Sequence, residues 1–410
     1  MSMIADFFSE NFFPGFKISD ISLSKPENEV FIRLEPNSCP SCPHCHSNDV
    51  VVHEYRTKKI RDARILGCLV TLEIVYRVVR CNHCKSRFGT ENISFLSERF
   101  RVTKRVESGV IDELEHASSI KDTAYRAGLK WDVCKNIHKR YLKNTIYFSL
   151  DKASILAIDE FSIQKGHKYA TVVIDVEYRR VLWVCKGKSI SEVNRFFRLC
   201  GTEGCKQIKA VAMDQNAGFA TCVRKYCPNA RVVYDLFHML YNYGRLVISA
   251  IRIRLAKKTA DSGDEDGYKL LKRSRFLLLT HNANLTAEKK VKLDNILAHH
   301  RDLYAANELK ELLPEVFKTD SKEKAEKLWD EWVEIAMNSN VPEIKKFAGN
   351  QNRHYRDGIT NSGIYHIRTS ILEGINNKIK VIKRLAYGFR DLDYFFLRIR
   401  SAFRGNFRYV

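Results

Sequence analysis

The sequence predicts a protein of several domains with mixed α and β structure, and three observations support this fold class. Two CxxC pairs near the amino terminus are separated by a segment that alternates like a strand, and we expect a hairpin there to bring the two pairs together. A central region has three strand patterns followed by helix, strand, helix and strand. A long region after it has only helical periodicity, and 410 residues are enough for about two to four domains.

The composition indicates a folded chain that binds a polyanion. Hydrophobic residues make up 45% of the sequence and aromatic residues 11%, which argues against a mainly disordered chain. The formal net charge of +21 favours nucleic acid as the partner, and an anionic membrane surface is the competing interpretation. No apolar run is long enough to span a bilayer, and the acids in MSMIADFFSENFFPGFKISD argue against a signal peptide. We therefore expect a cytoplasmic protein without a membrane partner.

The two CxxC pairs predict a metal site of the zinc-ribbon type. Cys42 and Cys45 form the first pair, and Cys81 and Cys84 form the second. Four thiolates from two such pairs are the usual ligands of one structural Zn²⁺ in a reducing compartment. Cys39 belongs to an overlapping CPSC motif, so whether it replaces Cys42 or Cys45 stays open. Three histidines beside the pairs are further alternative ligands: His44, His46 and His83.

The segment after the second pair predicts a helix-turn-helix. The stretch VESGVIDELEHA is amphipathic, and Ser119 is a candidate N-cap for the next helix. Gly128 allows a tight turn, and a further helix opens at Trp131 or Asp132. In this motif the second helix enters the major groove of DNA, although an ordinary three-helix bundle remains the alternative. The basic residues of that helix, which we expect to contact DNA, are Lys135, Lys139 and Arg140.

The central region predicts a mixed sheet with two carboxylates at its edge. The strand patterns SILAIDEFSI, KYATVVIDVEY and RRVLWVCKGK form a meander, and the elements that follow fit a ribonuclease-H-like sheet. In that sheet the first and fourth strands lie side by side, so Asp159 and Asp214 would meet. Because adjacent carboxylates repel each other, the pair predicts a site for Mg²⁺, which binds few carboxylates together with water and phosphate oxygens. Phosphoryl transfer with two metal ions needs a third carboxylate.

The carboxyl-terminal region supplies a candidate for that third carboxylate. The stretch TSILEGINNKIKVIKRL predicts a helix from about Ser370, and Glu373 lies near its start. Taken alone, Glu373 is better explained as a solvated residue or one that the helix dipole favours. Polar and basic residues follow it on the same helix, and we expect them to contact the DNA backbone. They are Asn377, Lys380, Lys383 and Arg384.

Other acids near these positions have simpler interpretations. Glu160 adjoins Asp159 and points to the opposite face of the sheet if the strand continues. Asp175 ends the second strand, where a role in the turn is favoured over metal binding. Asp391 follows the helix break and is expected to cap the last segment.

These patterns predict a division of the chain into six regions. The helical region between the sheet and the last helix is an all-helical insertion that either contacts DNA or partners, or serves as a scaffold. The predicted regions are an N-terminal arm (1–36), a zinc-ribbon-like domain (37–92), a helix-turn-helix DNA-binding domain (93–148), the first part of a ribonuclease-H-like catalytic core (149–240), the helical insertion (241–348) and the carboxyl-terminal part of the core (349–410).

The chain resembles the DDE transposases of the insertion-sequence ISL-three family. The helix-turn-helix and five quoted stretches carry the resemblance, in family order: CPHC…CNHC, IDEFSIQKGHKYATVVID, VAMDQNAGF, PNARVVYDLFH and EGINNKIKVIKRLAYGFR. The resemblance implies a catalytic triad of Asp159, Asp214 and Glu373 that binds two Mg²⁺ or Mn²⁺ ions on a ribonuclease-H-like fold. One departure is His46, which stands where the family often has Gly.

The stretch YDLFH also resembles the Asp-x-x-His motif of related transposase groups. On that resemblance Asp235 and His238 support the active site. The alternative is that Asp235 only caps the helix that follows it.

The expected function is that of a DNA transposase of a bacterial insertion sequence. It would bind the terminal inverted repeats and catalyse metal-dependent DNA cleavage and strand transfer. The alternative is a catalytically silent, transposase-derived DNA-binding regulator, and the presence of all three acids favours the enzyme. The expected partners are double-stranded DNA of the transposon ends and the target, and further copies of the chain in a homodimer or higher oligomer on DNA. The expected location is the nucleoid in the bacterial cytoplasm.

Overall fold

The structure is a computed structural model in which the chain forms two compact units. The described residues are 3–84, 88–116, 118–150, 152–164, 166, 168–367 and 369–405. The first unit comprises Met1–Tyr147 and Val381–Ala402, and the second comprises Phe148–Lys380 and Phe403–Val410.

The first unit contains a sheet followed by a group of helices. Its elements up to residue 147 are α1 (Met3–Phe12), β1 (Phe16–Ser24), β2 (Glu29–Pro36), β3 (Val50–Ile65), β4 (Cys68–Cys81), β5 (Gly89–Thr90), α2 (Lys104–Glu115), α3 (Ile120–Ala127) and α4 (Trp131–Thr145). 

The second unit contains a sheet and a larger set of helices. Its elements are β6 (Ile155–Gln164), β7 (Lys168–Asp175), β8 (Arg180–Lys186), α5 (Ile190–Lys206), β9 (Ala210–Met213), α6 (Ala217–Tyr226), β10 (Arg231–Tyr234), α7 (Leu236–Tyr243), α8 (Ser249–Asp261), α9 (Glu265–Arg273), α10 (Arg275–Leu279), α11 (Ala287–His299), α12 (Arg301–Phe317), α13 (Lys322–Asn338), α14 (Pro342–Thr360) and α15 (Thr369–Leu385). The residues of α15 from Val381 onward, and all of α16 (Leu392–Ala402), are assigned to the first unit.

The N-terminal segment is part of the first sheet and not a separate arm. The strand order is β1-β2-β4-β3, and β5 pairs with β4. β2 pairs with β4 in parallel, and alternate side chains of β1 and β2 are buried, namely those of Phe16, Ile18, Ile32 and Leu34. The prediction of an arm over 1–36 was wrong because these apolar residues are needed to complete the core of the sheet.

The expected hairpin between the two cysteine pairs is confirmed. β3 and β4 pair in antiparallel register from Val50↔Cys81 to Ile65↔Cys68. The tight turn between them is formed by Leu66 and Gly67, which both have positive φ values of 49° and 83°. Such a turn matches the twist of the two long strands.

Three helices follow the sheet, and the sequence correctly predicts where α3 begins and ends and where α4 begins. The Ser119 hydroxyl accepts a hydrogen bond from the Asp122 N–H at 3.1 Å and caps α3. Gly128 ends α3 with a φ of 62°, and an added Cβ there would lie 2.5 Å from the side chain of Leu69. Both the left-handed conformation and the close approach therefore require glycine. α4 opens at Trp131, the first of the two predicted positions.

The segment Val381–Ala402 belongs to the first unit rather than to a carboxyl-terminal part of the core. His138 of α4 contacts the Tyr394 hydroxyl at 2.8 Å, and Arg398 donates to the Leu114 carbonyl at 2.7 Å. Tyr394 and Phe395 are buried. The predicted region 349–410 is therefore divided, because the apolar face of α16 is buried against the helices of the first unit.

The second sheet has the predicted neighbours. Its strand order is β10-β9-β6-β7-β8, in which β10, β9 and β6 are parallel and β6, β7 and β8 are antiparallel. The first and fourth strands of this region, β6 and β9, lie side by side as the sequence predicts. 

Residues 241–348, all of which the structure describes, are helical between short connections and contain no strand, which confirms the predicted all-helical character. One continuous core joins these helices to the sheet. Trp329 and Trp332 stack at 5.2 Å in that core, and the Tyr243 hydroxyl donates to the Ala306 carbonyl at 3.0 Å. Across the described residues, every helix is too short or too polar to cross a membrane.

Candidate active site and metal centre

The four predicted cysteines lie together beside the β3–β4 hairpin. The Sγ atoms of Cys42, Cys45, Cys81 and Cys84 are all within 4.8 Å of one another. The Cys42–Cys84 and Cys45–Cys81 sulfur distances are both 3.6 Å. Tetrahedral Zn–S bonds of about 2.3 Å require sulfurs about 3.8 Å apart, so the cluster has the size for one zinc ion. Cys39 is exposed and lies outside the group that the described residues form.

Backbone N–H groups favour negative charge on this cluster. The N–H of His44 donates to the Cys42 sulfur at 3.4 Å, and the N–H of Cys84 donates to the Cys81 sulfur at 3.5 Å. A backbone hydrogen bond from Cys45, helped by that from His44, lowers the pKa of Cys42 to about 6. The backbone at Ser47 favours ionised Cys45, yet burial and the neighbouring thiols raise the pKa of Cys45 to about 12. Cys42 is therefore the first thiol to ionise, and its negative charge disfavours ionisation of a second thiol. A bound cation would neutralise this repulsion.

Two backbone positions allow the cysteine pairs to close. A Cβ added to Gly89 of β5 would lie 2.5 Å from the Pro43 ring, so only glycine lets β5 pass beside the first pair. His46 has a φ of 61°, in the left-handed region that favours glycine. The turn nevertheless forms with histidine at this position, and the backbone N–H of His46 donates to the Cys42 carbonyl at 3.0 Å.

Three aspartates occupy equivalent positions on neighbouring parallel strands of the second sheet. Ile158 of β6 pairs with Met213 of β9, and Met213 pairs with Tyr234 of β10. The residues that follow these three are Asp159, Asp214 and Asp235, which we call the aspartate row. Register alone brings together carboxylates that lie far apart in the sequence.

Asp159 is the best-connected member of the aspartate row. Its Oδ1 accepts the N–H of Glu160 at 2.7 Å, and its Oδ2 accepts the side-chain amide of Asn376 at 2.6 Å. Nε2 of His238 lies 3.9 Å from Asp159 Oδ1. Asn376 is three residues after Glu373 in α15, so these two side chains lie on one face of that helix. The contact therefore places the face of α15 that carries Glu373 beside Asp159.

The other two aspartates are held in an environment that disfavours their charge. Burial raises the pKa of Asp214, and the negative charges of Glu160 and Asp159 add to that effect, while His238 opposes it. Burial also raises the pKa of Asp235, against the hydrogen bond from the backbone of Phe237. A cation at this position would remove both the repulsion and the need for protonation.

The oxygen ligands at this position suit a divalent metal, although they do not all converge on one point. Oδ1 of Asn376, on the same amide that bonds Asp159, is buried without a hydrogen-bond partner in the described structure. Carboxylate, carbonyl and water oxygens are the ligands of Mg²⁺ and Mn²⁺. Within the described residues, the oxygens of Asp159, Asp214 and Glu373 do not all lie within 4.8 Å of one another.

Comparison with known proteins decides the family. Residues 156–399 match the family model DDE_Tnp_ISL3, described as "Transposase". Residues 38–84 match a second model, the zinc-finger of transposase IS204/IS1001/IS1096/IS1165. The chain is 34% identical, over 385 residues, to the transposase for insertion sequence element IS1001 of Bordetella parapertussis, covering 93% of this chain and 94% of that protein. The chain belongs to the ISL3 family of DDE transposases.

More distant relatives agree with this assignment. The transposases for insertion sequence element IS1557 from two strains of Mycobacterium tuberculosis are each 29% identical over 254 residues, or 58% of this chain and 57% of theirs. The family resemblance that the sequence motifs indicated is thereby confirmed, as is the interpretation of the chain as an insertion-sequence transposase.

The predicted supporting residues of the transposase have observed contacts. Asp235 Oδ1 accepts the Phe237 N–H at 2.8 Å and so caps α7 while it belongs to the aspartate row. His238 lies in the first turn of α7, close to Asp159. Asp175 is buried and bonds Arg180 at 2.7 Å, in agreement with its expected role in the turn. Glu373 is exposed and forms no ion pair among the described residues.

The residues expected to contact DNA differ in their exposure and in whether they already form ion pairs within the protein. Lys135 and Lys139 bond Asp391 at 3.4 and 2.8 Å, and Asp391 also caps α16 through the N–H of Tyr394 at 3.1 Å. Arg140 lies 3.5 Å from Glu98. The exposed residues of α4 are instead Trp131, Asp132, Asn136, Lys143, Asn144 and Thr145.

On α15, Lys380 and Arg384 are exposed and Lys383 is half-buried, while the exposed Asn377 accepts from Lys380 at 3.3 Å.

Sequence reasoning missed two residues at this site. Asn376 was passed over in favour of its neighbour Asn377, although the three-residue spacing from Glu373 was a usable signal. Lys188 pairs with Glu160 and lies 3.8 Å from the centre of the Tyr169 ring. Glu160 was expected to face away from Asp159, yet it lies close enough to Asp214 to raise the pKa of that carboxyl. No spacing in the sequence pointed to Lys188.

Proposed function

We propose that this transposase cleaves DNA at transposon ends and joins the cut ends to target DNA, using divalent metal ions bound by Asp159, Asp214 and Glu373. The observation that carries the proposal is the aspartate row, to which the Asn376–Asp159 bond at 2.6 Å adds the helix of Glu373. The strand order and the paired β6 and β9 support a ribonuclease-H-like core. 

The chain's own residues have defined tasks in this reaction. Asn376 and His238 orient Asp159, since each contacts one of its oxygens. Lys188 forms an ion pair with Glu160, which reduces the repulsion between the Glu160 carboxylate and the carboxylates of the aspartate row. Two Mg²⁺ or Mn²⁺ ions held by the three acids would stabilise charge on the transferring phosphoryl group and activate the attacking water or 3′-hydroxyl.

The first unit is proposed to supply DNA recognition. Its cysteine cluster would hold one structural zinc, and α3 with α4 would act as a helix-turn-helix that binds the terminal inverted repeats. Base reading would come from the exposed face of α4, because Lys135 and Lys139 are engaged with Asp391. Assembly as a homodimer or higher oligomer on DNA in the bacterial cytoplasm is part of this proposal.

A cleavage assay tests the proposal. Labelled end DNA is incubated with the full chain and Mg²⁺ or Mn²⁺, and Asp159→Asn, Asp214→Asn and Glu373→Gln are compared with Glu203→Gln, an exposed acid of α5. Each of the three variants should lose cleavage by about a thousandfold or more while retaining end binding. Glu203→Gln should behave like the wild type.

Two outcomes would contradict the proposal. A wild-type protein that binds ends but never cuts would indicate the catalytically silent regulator. Normal cleavage by Glu373→Gln would remove that residue from the triad.

A further inference from the structure

A basic pocket lies against β10, the edge strand of the second sheet. Its volume is about 470 Å³, and β10, α6, α14 and the start of α13 form its walls. One carboxylate, that of Asp357, lines the pocket. The basic side chains that line it are Arg224, Arg231, Lys322, Arg353, His354 and Arg356.

Only some of this positive charge is neutralised within the unit. Arg356 bonds Asp330 at 2.8 Å, and both Arg356 and Lys322 lie 3.6 Å from Glu326. The remaining three arginines are exposed and form no ion pair among the described residues; they are Arg224, Arg231 and Arg353. Each comes from a different element, so the fold concentrates unpaired guanidinium groups on one concave surface.

Close packing fixes the backbone of two of the elements that carry these arginines, β10 and α14. The ring of Tyr234 contacts that of Tyr355 edge-on at 5.3 Å, and a Cβ at Gly358 would collide with the Tyr234 ring. The side-chain amide of Asn361 donates to the Val232 carbonyl at 2.9 Å. α14 is therefore fixed closely against β10, which favours a preformed binding surface.

The pocket is next to the aspartate row. Arg231 and Tyr234 are the first and last residues of β10, a separation of about 10 Å at 3.3 Å per residue, and Asp235 follows directly. Burial raises the pKa of the Tyr234 hydroxyl; Arg224 opposes this shift, while Asp214 adds to it. Tyr234 thus lies within electrostatic reach of both the pocket and the row. A DNA backbone that reaches the acids would extend into the pocket.

We propose that this pocket binds the phosphodiester backbone of DNA beside the position of cutting and joining. The planar guanidinium group forms paired hydrogen bonds with phosphate oxygens, and three of them without carboxylate partners select a polyanion over a neutral ligand. The inference rests on the proposed function for the identity of the DNA. Two DNA segments have this chemistry: the donor sequence that flanks the transposon end, and the target.

Salt-dependent binding of duplex DNA to the full chain, without divalent metal, measures the phosphate contacts. The triple variant Arg224→Ala, Arg231→Ala, Arg353→Ala should reduce the slope of log affinity against log salt by about 2.7, since each contact contributes about 0.9. The matched control is Lys209→Ala, Lys225→Ala, Lys346→Ala, which removes three exposed positive charges of the same unit that do not line the pocket. It should leave the slope nearly unchanged. An equal loss of slope in both triples would overturn the inference.

A charge-preserving variant excludes a folding defect. Replacing the three arginines by lysine should retain most of the slope, and all variants should keep the wild-type melting temperature. An unchanged slope in the alanine triple that melts normally would also overturn the proposal.

Two reactions then distinguish the DNA segments. If the pocket holds the donor flank, the alanine triple should cleave flanked ends about tenfold more weakly but insert precut ends normally. If it holds the target, cleavage should be normal and insertion of precut ends into a plasmid should fall by a similar factor. Unaffected cleavage and insertion together would refute a role beside the reaction. A wild type that neither cleaves nor inserts would refute the proposed function, whereas the salt slope would still test the pocket.

Discussion

The two candidate metal sites of this transposase gather like-charged ligands in opposite ways. The thiol site takes all four ligands from two CxxC pairs at one end of a hairpin, and its sulfurs lie within 4.8 Å of one another. The acid site takes Asp159, Asp214 and Glu373 from separate elements, and those oxygens do not all meet that distance within the described residues. A short local motif builds the first site, whereas the second depends on the register of β6 with β9 and on the contact of α15 with Asp159.

This difference matches what each metal requires. A structural zinc site is closed, with four protein ligands and no place for substrate. Mg²⁺ keeps several waters and accepts substrate phosphate oxygens, so its protein ligands need not converge before DNA binds. The thiol site should therefore control folding of the first unit, and the acid site should control chemistry with little effect on folding.

The largest expected effect is the loss of the zinc site. Cys81→Ser with Cys84→Ser should abolish zinc binding and end recognition, since structural zinc sites contribute folding free energy directly. Elemental analysis should give about one zinc per wild-type chain. Cys39→Ser is the matched control, because this exposed thiol lies outside the cluster. Zinc retained by the double variant would assign the metal to other ligands.

The next effect sharpens the role of the acid site's neighbours. Asn376→Ala removes the amide that orients Asp159, so the Mg²⁺ concentration for half-maximal cleavage should rise by about 10–100-fold. Asn377→Ala, the adjacent exposed position, should leave that metal dependence unchanged and affect DNA affinity at most. The measurement is single-turnover cleavage at saturating DNA over a metal titration. A normal metal dependence in Asn376→Ala would show that the hydrogen bond has no positioning role.

The same contrast explains what the sequence was able to predict. The cysteine pairs, the hairpin between them and the caps at Ser119 and Gly128 depend on neighbouring residues, and they were placed correctly. The pairing of β6 with β9 was also predicted, because the order of strands and helices permits few topologies.

Contacts between distant segments were not predictable in the same way. The pairing of β2 with β4 turned a predicted arm into part of a sheet, and nothing in the local pattern of residues 1–36 specifies that partner. Asp391 was recognised as a cap, but its bonds to Lys135 and Lys139 depend on the docking of α16. The assignment of Glu373 came from family resemblance, since a single acid on a helix carries little information by itself.

A smaller effect concerns the cost of holding the buried Asp214 carboxylate beside other negative charges when no metal is bound. Burial and like charge raise the pKa of Asp214, so the folded state favours the protonated form more than the unfolded state does. The metal-free wild type should therefore lose stability as pH rises above the ordinary pKa of 3.8, and Asp214→Asn should not. At neutral pH and without metal, the free energy of unfolding of Asp214→Asn should be about 1 kcal/mol higher than that of the wild type.

Thermal melting with chelator at several pH values measures this difference. The gap between the two proteins should be absent at low pH and grow as pH rises. Added Mg²⁺ should stabilise the wild type more than Asp214→Asn. A variant that is less stable than the wild type at neutral pH without metal would contradict the assignment of repulsion to this row.

The smallest expected effect returns to the thiol site. His46 adopts a φ of 61°, which costs a residue with a side chain about 1 kcal/mol relative to glycine. His46→Gly should therefore raise the melting temperature of the zinc-loaded protein by about 2–4 °C if the hairpin end melts with a unit of this size. His44→Gly is the matched control: His44 lies in the same pair with ordinary φ, so glycine there should lower stability by making the unfolded chain more flexible. Loss of zinc from His46→Gly would instead identify the imidazole as a ligand, which the four-cysteine geometry does not require.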